Sequence, residues 1–203
     1  MSNEQRVTAS AGYAYGVIGA DLLIFTDRGP VYHLASPDAP AEPAGDWFLE
    51  QPSRLLNARF RIVDFVGHDE IDDLVRWRDS TARIAVRWIG GPGGSGKSRL
   101  AAEIAAVSRV QGWKIVTVTH GVGAVLPPAG SVDLRLDGYS GVLLVVDYAD
   151  RWPMSHLTWL LSNALLHQPA CARILLLGRS IVPWLPLRAE LENLWSAHDL
   201  VQL

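Results

Sequence analysis

From residue 91 the chain reads Gly-Pro-Gly-Gly-Ser-Gly-Lys-Ser, so that Gly91 is followed by four residues and then by Gly96, Lys97 and Ser98. That spacing lets the backbone wrap round a phosphate with several N–H groups turned inward, because glycine accepts the angles and the close approach this needs. Lys97 would bring a point charge to the β- and γ-phosphates and Ser98 a hydroxyl to Mg²⁺. A helix starting there would add the positive end of its dipole. On this reading the nucleotide-binding set is Gly91, Gly93, Gly94, Ser95, Gly96, Lys97, Ser98 and Arg99, with Mg²⁺ as cofactor. A glycine-rich turn with an incidental lysine is the alternative, and context decides between them. The motif lies between the apolar run Arg-Ile-Ala-Val-Arg-Trp-Ile and a stretch where Leu100, Ile104 and Val107, and Ala101, Ala105 and Ser108, recur at helical spacing.

Such a site needs a carboxylate at the end of a neighbouring strand to hold Mg²⁺. The run Gly-Val-Leu-Leu-Val-Val ends in Asp147, which with Ser98 makes the candidate metal pair. Asp150 is either a second acid that orients or activates the attacking water, or the N-cap of a helix expected near Pro153. A further apolar run ends in Arg179, on the sheet edge where open α/β folds bind ligands, and can reach a γ-phosphate. Asp147, Asp150 and Arg179 form the candidate catalytic set.

The elements that must position these residues are legible as alternating patterns. Strands are expected over 83–89, 113–119, 141–147 and 173–178, and helices over 96–111, 154–167 and 184–198. An earlier helix places Ile71, Leu74, Val75 and Arg78 on one face, with Asp69 and Glu70 in its first turn, where the dipole favours negative charge. The strand runs are nearly continuous in apolar residues, as in a parallel sheet buried on both faces. Residues 7–34 alternate small, aromatic and branched side chains around the turn Thr-Asp-Arg-Gly-Pro, which suggests a small β-hairpin or meander. Residues 35–46 collect three prolines with alanines and acids, a linker composition. The expected architecture is therefore α/β: a phosphate-loop NTPase-like parallel sheet with flanking helices over 60–203, a β element over 1–34, and a Pro/Ala-rich linker and lead-in over 35–59.

Composition narrows the classes. At 203 residues, with 49% hydrophobic and 19% charged residues, the chain suits one well-buried domain, and a net charge of -3 argues for neither nucleic acid nor an anionic membrane. The single cysteine, Cys171, rules out an internal disulfide framework and reads as a small hydrophobe at the core edge. No apolar stretch approaches the length of about 18 residues that spans a bilayer, and no secretory leader pattern opens the chain. A cytoplasmic protein is expected. The six histidines show no zinc-binding spacing on one helix. Among the eight tryptophans, Trp152, Trp159, Trp184 and Trp195 read as core or interdomain anchors.

Val66 to Asp69, the phosphate loop, Leu-Leu-Val-Val-Asp-Tyr-Ala-Asp and Leu-Leu-Leu-Gly-Arg-Ser together resemble the STAND class of P-loop NTPases, the signal-transduction ATPases that include NACHT and NB-ARC proteins. The likeness runs from about residue 60 to 190 and is nearest to large multidomain proteins of actinobacteria. It implies a nucleotide-dependent signalling switch. Val66, Gly67, His68 and Asp69 stand where that class has Val-Gly-Arg-Glu, an element that helps enclose the adenine. Its NACHT pattern Asp-Gly-x-Asp-Glu corresponds here to Asp147, Tyr148, Ala149, Asp150 and Arg151, so the second added acid is replaced by arginine. The resemblance thereby implies slow hydrolysis. Arg179 matches the sensor arginine of the class. A fifth core strand, a helical lid and a winged-helix domain would follow in such proteins. None is legible before the chain ends, which suggests a fragment, or a reduced form working with a protein partner.

Two other functions fit less well. A small phosphotransferase would want an arginine-rich lid after the fourth strand, where residues 180–195 supply only Arg188. A truncated or inactive NTPase serving as a protein-interaction module is the other reading. A guanine-reading Asn-Lys-x-Asp element, an ABC signature loop and a Gly-x-Ser-x-Gly elbow are all absent.

Overall fold

Strands with both faces covered must be apolar along their whole length, and this requirement builds the centre of the molecule. The computed structural model describes residues 24–25, 29–30, 32–36, 65–66, 68–120, 135–194 and 198–202. Its strands are β1 (Ile24–Phe25), β2 (Gly29–Pro30), β3 (Tyr32–Ala35), β4 (Ile84–Gly90), β5 (Trp113–His120), β6 (Gly141–Val146), β7 (Cys171–Gly178) and β8 (His198–Gln202). The helices are α1 (His68–Arg78), α2 (Lys97–Val110), α3 (Met154–Leu161) and α4 (Trp184–Leu194). Every residue of β4 is buried, as is all of β7 after Cys171.

Six strands form one sheet in the order β3-β5-β6-β7-β4-β8. The five from β5 to β8 are parallel, and β3 runs antiparallel along the edge of β5. The fold is thus the expected α/β phosphate-loop NTPase-like sheet with flanking helices. β1 and β2 pair antiparallel as a short hairpin. Residues 37–64, in the linker and lead-in, lie outside the described residues.

Alternate residues of each strand serve opposite faces. On one face Ala85, Ile89, Leu143, Leu175 and Leu177 pack with Leu74 and Trp77 of α1 and Leu100, Ala101 and Ile104 of α2. On the other, Val86, Trp88, Leu144, Val146, Ile174 and Leu176 pack with Leu157, Leu160 and Leu161 of α3 and Trp184, Leu187 and Leu191 of α4. Trp152 and Trp184 are buried, Trp159 is half-buried, and Trp195 lies outside the described residues. Cys171 is half-buried against the α1/α2 face. No helix among the described residues is long and apolar enough to cross a membrane.

Three differences from the sequence reading have physical causes. The chain does not stop at four core strands, because β8 pairs in parallel with β4 from Val86–His198 to Gly90–Gln202. The helix expected over 184–198 therefore ends at Leu194. The helix expected over 154–167 ends at Leu161: the Asn163 side-chain Oδ1 accepts the N–H of Leu165 at 2.9 Å and opens a separate 3₁₀ turn, Ala164–His167. Finally, Tyr32 to Ala35 belong to the main sheet, where the Asn163 amide donates to the Tyr32 hydroxyl at 2.9 Å.

Two buried arginines fasten the amino-terminal edge. Arg173, 1% exposed, donates to the carbonyls of Arg78 (2.6 Å), Ser80 (2.7 Å), Ala172 (2.9 Å) and Arg83 (3.4 Å), so one guanidinium holds the end of α1 and the turn into β4. Arg78 grips Asp79 with two bonds of 2.8 Å and also reaches Ser108 and Gln111 of the α2 end. The bond from Arg78 holds the Asp79 carboxyl below its ordinary range. Replacing Arg173 by alanine leaves several buried carbonyls without donors. A loss of at least about 3 kcal/mol in urea unfolding is expected.

A second cluster tethers β3, β5 and α3. His120 Nε2 lies 2.9 Å from His156 Nδ1, and its ring packs 4.6 Å from that of Trp152. Burial lowers the pKa of His33 below 6.5, and burial, with a smaller push from His156, does the same for His120. Below pH 6.5 the unfolded chain accordingly binds more protons than the folded one, so stability rises with pH there. The melting temperature should hold above about pH 7 and fall as the pH drops through the mid-sixes. His120→Gln should flatten part of that slope in a pH series of thermal melts.

Candidate functional site

β4 and β7 end level, Gly90 opposite Gly178, and the Gly91 N–H donates to the Gly178 carbonyl at 3.3 Å. The loop leaving β4 turns through Gly94 (φ 84°) and Gly96 (φ 87°), where a side chain would cost roughly 1–2 kcal/mol. A Cβ on either would meet nothing within 4 Å, so the demand for glycine here is conformational and the space beside both residues is open.

Lys97 opens α2 with its side chain buried across the loop. Its ammonium donates to the carbonyls of Gly91 (2.7 Å) and Pro92 (2.9 Å) and to Ser95 Oγ (3.2 Å). Gly96 is the N-cap of α2, no side chain caps the helix, and its first turn holds no acid. The helix therefore keeps its partial positive charge directed at the loop. Arg99, half-buried, forms an ion pair with Glu103 one turn along at 2.9 Å.

Ser98 and Asp147, 49 positions apart in sequence, meet here: the hydroxyl donates to Asp147 Oδ2 at 3.1 Å. Asp147 Oδ1 accepts the N–H of Tyr148 at 2.8 Å. A hydroxyl beside a carboxylate at a strand end offers the all-oxygen ligation that a hard divalent cation takes, with water completing the shell.

Asp150 lies in a 3₁₀ turn, Ala149–Arg151, and Pro153 is the N-cap of α3, so the capping alternative for Asp150 is corrected. Among the described residues its Oδ1 is buried without a hydrogen-bond partner, a costly state for a carboxylate that performs no other task. Arg179 is exposed immediately after β7. A Cβ on Gly93 would sit 3.6 Å from its guanidinium carbon, which places the arginine beside the glycine-rich loop. Of the Val-Gly-His-Asp element, Val66 is 91% exposed, Asp69 is exposed in the first turn of α1, and Gly67 lies outside the described residues.

Two residues at the site escape the motif reading. Tyr148, at φ 52° and ψ 36°, has the guanidinium of Arg151 4.9 Å and that of Arg179 5.7 Å from its ring centre. Its signal in the sequence was an aromatic residue where the NACHT pattern has glycine. Gly178 is the second. A Cβ there would come within 2.6 Å of the Trp88 ring, 3.1 Å of the Ser180 carbonyl and 3.2 Å of Asp150 Cβ.

No protein-family profile matches the chain, and no curated protein matches it. Solved structures similar to it include the ORC2 protein of Aeropyrum pernix in ADPNP–ADP complexes, at 12% identity and a TM-score of 0.37, over 83% of this chain and 50% of that one. The E. coli MS115-1 HORMA:CdnC:Trip13 complex contains a chain similar at 15% identity and TM-score 0.33, over 77% of this chain and 62% of that one. Rhizobiales Trip13 is similar at 16% identity and TM-score 0.33, over 76% and 60%. The chain spans half the length of the ORC2 chain it matches. The fold assignment rests on the strand order and loop geometry described above.

Gly178→Ala should force Trp88, Asp150 and the start of the Arg179 loop apart. A loss of about 1–3 kcal/mol in thermal or urea unfolding is expected.

Proposed function

We propose that the chain is an ATP- and Mg²⁺-binding module of the STAND type, acting as a nucleotide-dependent switch that resets by slow hydrolysis. The observation that carries the reading is the Ser98–Asp147 pair at 3.1 Å, because two residues chosen separately for Mg²⁺ are neighbours across the mouth of the loop.

In this reading the N–H groups of Gly93 to Ser98 cradle the phosphates, and the Lys97 ammonium exchanges its loop carbonyls for phosphate oxygens. Ser98 and Asp147 hold Mg²⁺, which when bound neutralises charge on the β- and γ-phosphates. Asp150, whose buried Oδ1 has no hydrogen-bond partner among the described residues, accepts the proton of a water that attacks the γ-phosphorus as the bond to the β–γ bridging oxygen breaks. Arg179 contacts the γ-phosphate and thereby distinguishes ATP from ADP. Arg151, standing in place of a second acid, leaves the water with one base and makes turnover slow.

A switch must be read by something. The exposed Val182 (74%) and Leu185 (68%) follow Arg179 closely, which supports a protein partner on that side. The lone thiol of Cys171 suits a reducing cytoplasm.

The test is titration of wild type and Lys97→Ala with ATP in Mg²⁺, followed by single-turnover hydrolysis. Loss of the ammonium should weaken binding about tenfold or more. Asp147→Asn should make ATP binding indifferent to Mg²⁺. Binding unaffected by either change would overturn the reading, and phosphate transfer to a small molecule would mark a phosphotransferase instead.

A further inference from the structure

We infer that Tyr148 is a positioning residue: its ring holds Arg179 beside the phosphate loop before any nucleotide arrives, so that the arginine is ready to contact a γ-phosphate. The inference rests on the nucleotide-switch reading and deepens it.

The argument starts from an outlier. Tyr148 is the one non-glycine residue with positive φ among the described residues, and it is 45% exposed. Its backbone conformation is disfavoured for any side chain with a Cβ, and little burial offsets that cost. Glycine would adopt the same angles freely. A tyrosine that accepts strain at such a place must contribute something glycine lacks, and strain of this kind gathers at functional sites.

The contacts identify that contribution as the ring. Arg179 and Arg151 both lie within the distance at which a guanidinium is attracted to an aromatic face, at 5.7 and 4.9 Å. Arg179 would otherwise be a long exposed side chain free to sample many rotamers, and the ring restricts it to the side of the loop where Gly93 lies. The backbone of the same residue works in concert. Its N–H takes Asp147 Oδ1, leaving Oδ2 to Ser98. One residue therefore orders both the carboxylate and the arginine.

The roles of backbone and ring separate by substitution. Tyr148→Gly and Tyr148→Asn keep the left-handed turn, which both residues tolerate, and delete the ring; Tyr148→Phe keeps the ring. With Mg²⁺ present, dissociation constants for ATP and ADP are measured by calorimetry on wild type, the three variants, Arg179→Ala and the double variant Tyr148→Gly/Arg179→Ala, alongside thermal melts. Expected is a loss of about three- to fivefold in ATP affinity for the glycine and asparagine variants, with ADP affinity unchanged and Phe restoring wild-type values. In the double variant, loss of the ring should add nothing to the Arg179→Ala defect.

An unchanged ATP-to-ADP ratio in Tyr148→Gly and Tyr148→Asn would overturn the inference while leaving the nucleotide site standing. Equal losses for ATP and ADP, or unfolding of both variants, would make the tyrosine structural and also overturn it. A Phe variant as weak as Gly would assign the effect to the hydroxyl and overturn the ring's role. A wild type that binds ATP and ADP equally overturns the inference together with the γ-phosphate role of Arg179; one that binds neither overturns the whole nucleotide site.

Discussion

The parallel pairing of β4 with β7 fixes where the glycine-rich loop and Arg179 come together. Seven consecutive residue pairs run from Ile84–Ala172 to Gly90–Gly178, so the glycine-rich loop and the segment bearing Arg179 leave the sheet side by side. A slip of one residue would turn Trp88 and Ile89 to the wrong faces and carry Arg179 away from Gly93. Gly178 lets this happen at close quarters, since the ring of Trp88 and the backbone beyond β7 occupy the space a side chain would need. The hydrophobic effect thus sets the register, and the register sets the site.

The two ends of the sheet solve opposite electrostatic problems. At the amino end, Arg173 enters the interior fully committed to backbone carbonyls, so its charge serves to close the turn between α1 and β4. At the carboxyl end, an uncapped helix start, a lysine and two exposed arginines surround a loop with open space beside its glycines. Lys97 is buried against the loop's own carbonyls, and Arg151 and Arg179 stay at the surface, where solvent still reaches them. Asp147 and Asp150 supply the negative charge on which a metal ion and a reacting water would depend.

How much of this was written in the sequence follows from the range of each interaction. β4, β6 and β7 were legible because strands covered on both faces must be apolar throughout, and α2 because its buried positions repeat at helical spacing. Ser98 and Asp147 were legible as types; their meeting at 3.1 Å is a tertiary fact. β8 and β3 were not legible as parts of the sheet, because five residues such as His-Asp-Leu-Val-Gln become a strand only when β4 offers a neighbour. The end of α3 is not legible in the helical pattern because a side chain, Asn163, competes for the backbone N–H that a longer helix would use. Tyr148 stayed hidden because no motif encodes a left-handed tyrosine.

The bonds from Lys97 to the carbonyls of Gly91 and Pro92 carry a last consequence. The loop's cation already has oxygen partners within the loop. Any anion must outbid those carbonyls, so entry is an exchange of partners in which the gain is only a difference. A weakly charged oxyanion gains little by such a trade, whereas a chain of phosphates presents several oxygens at once. On the proposed reading, the lysine's internal bonds would set a threshold that favours polyphosphates over the commoner small anions of the cell.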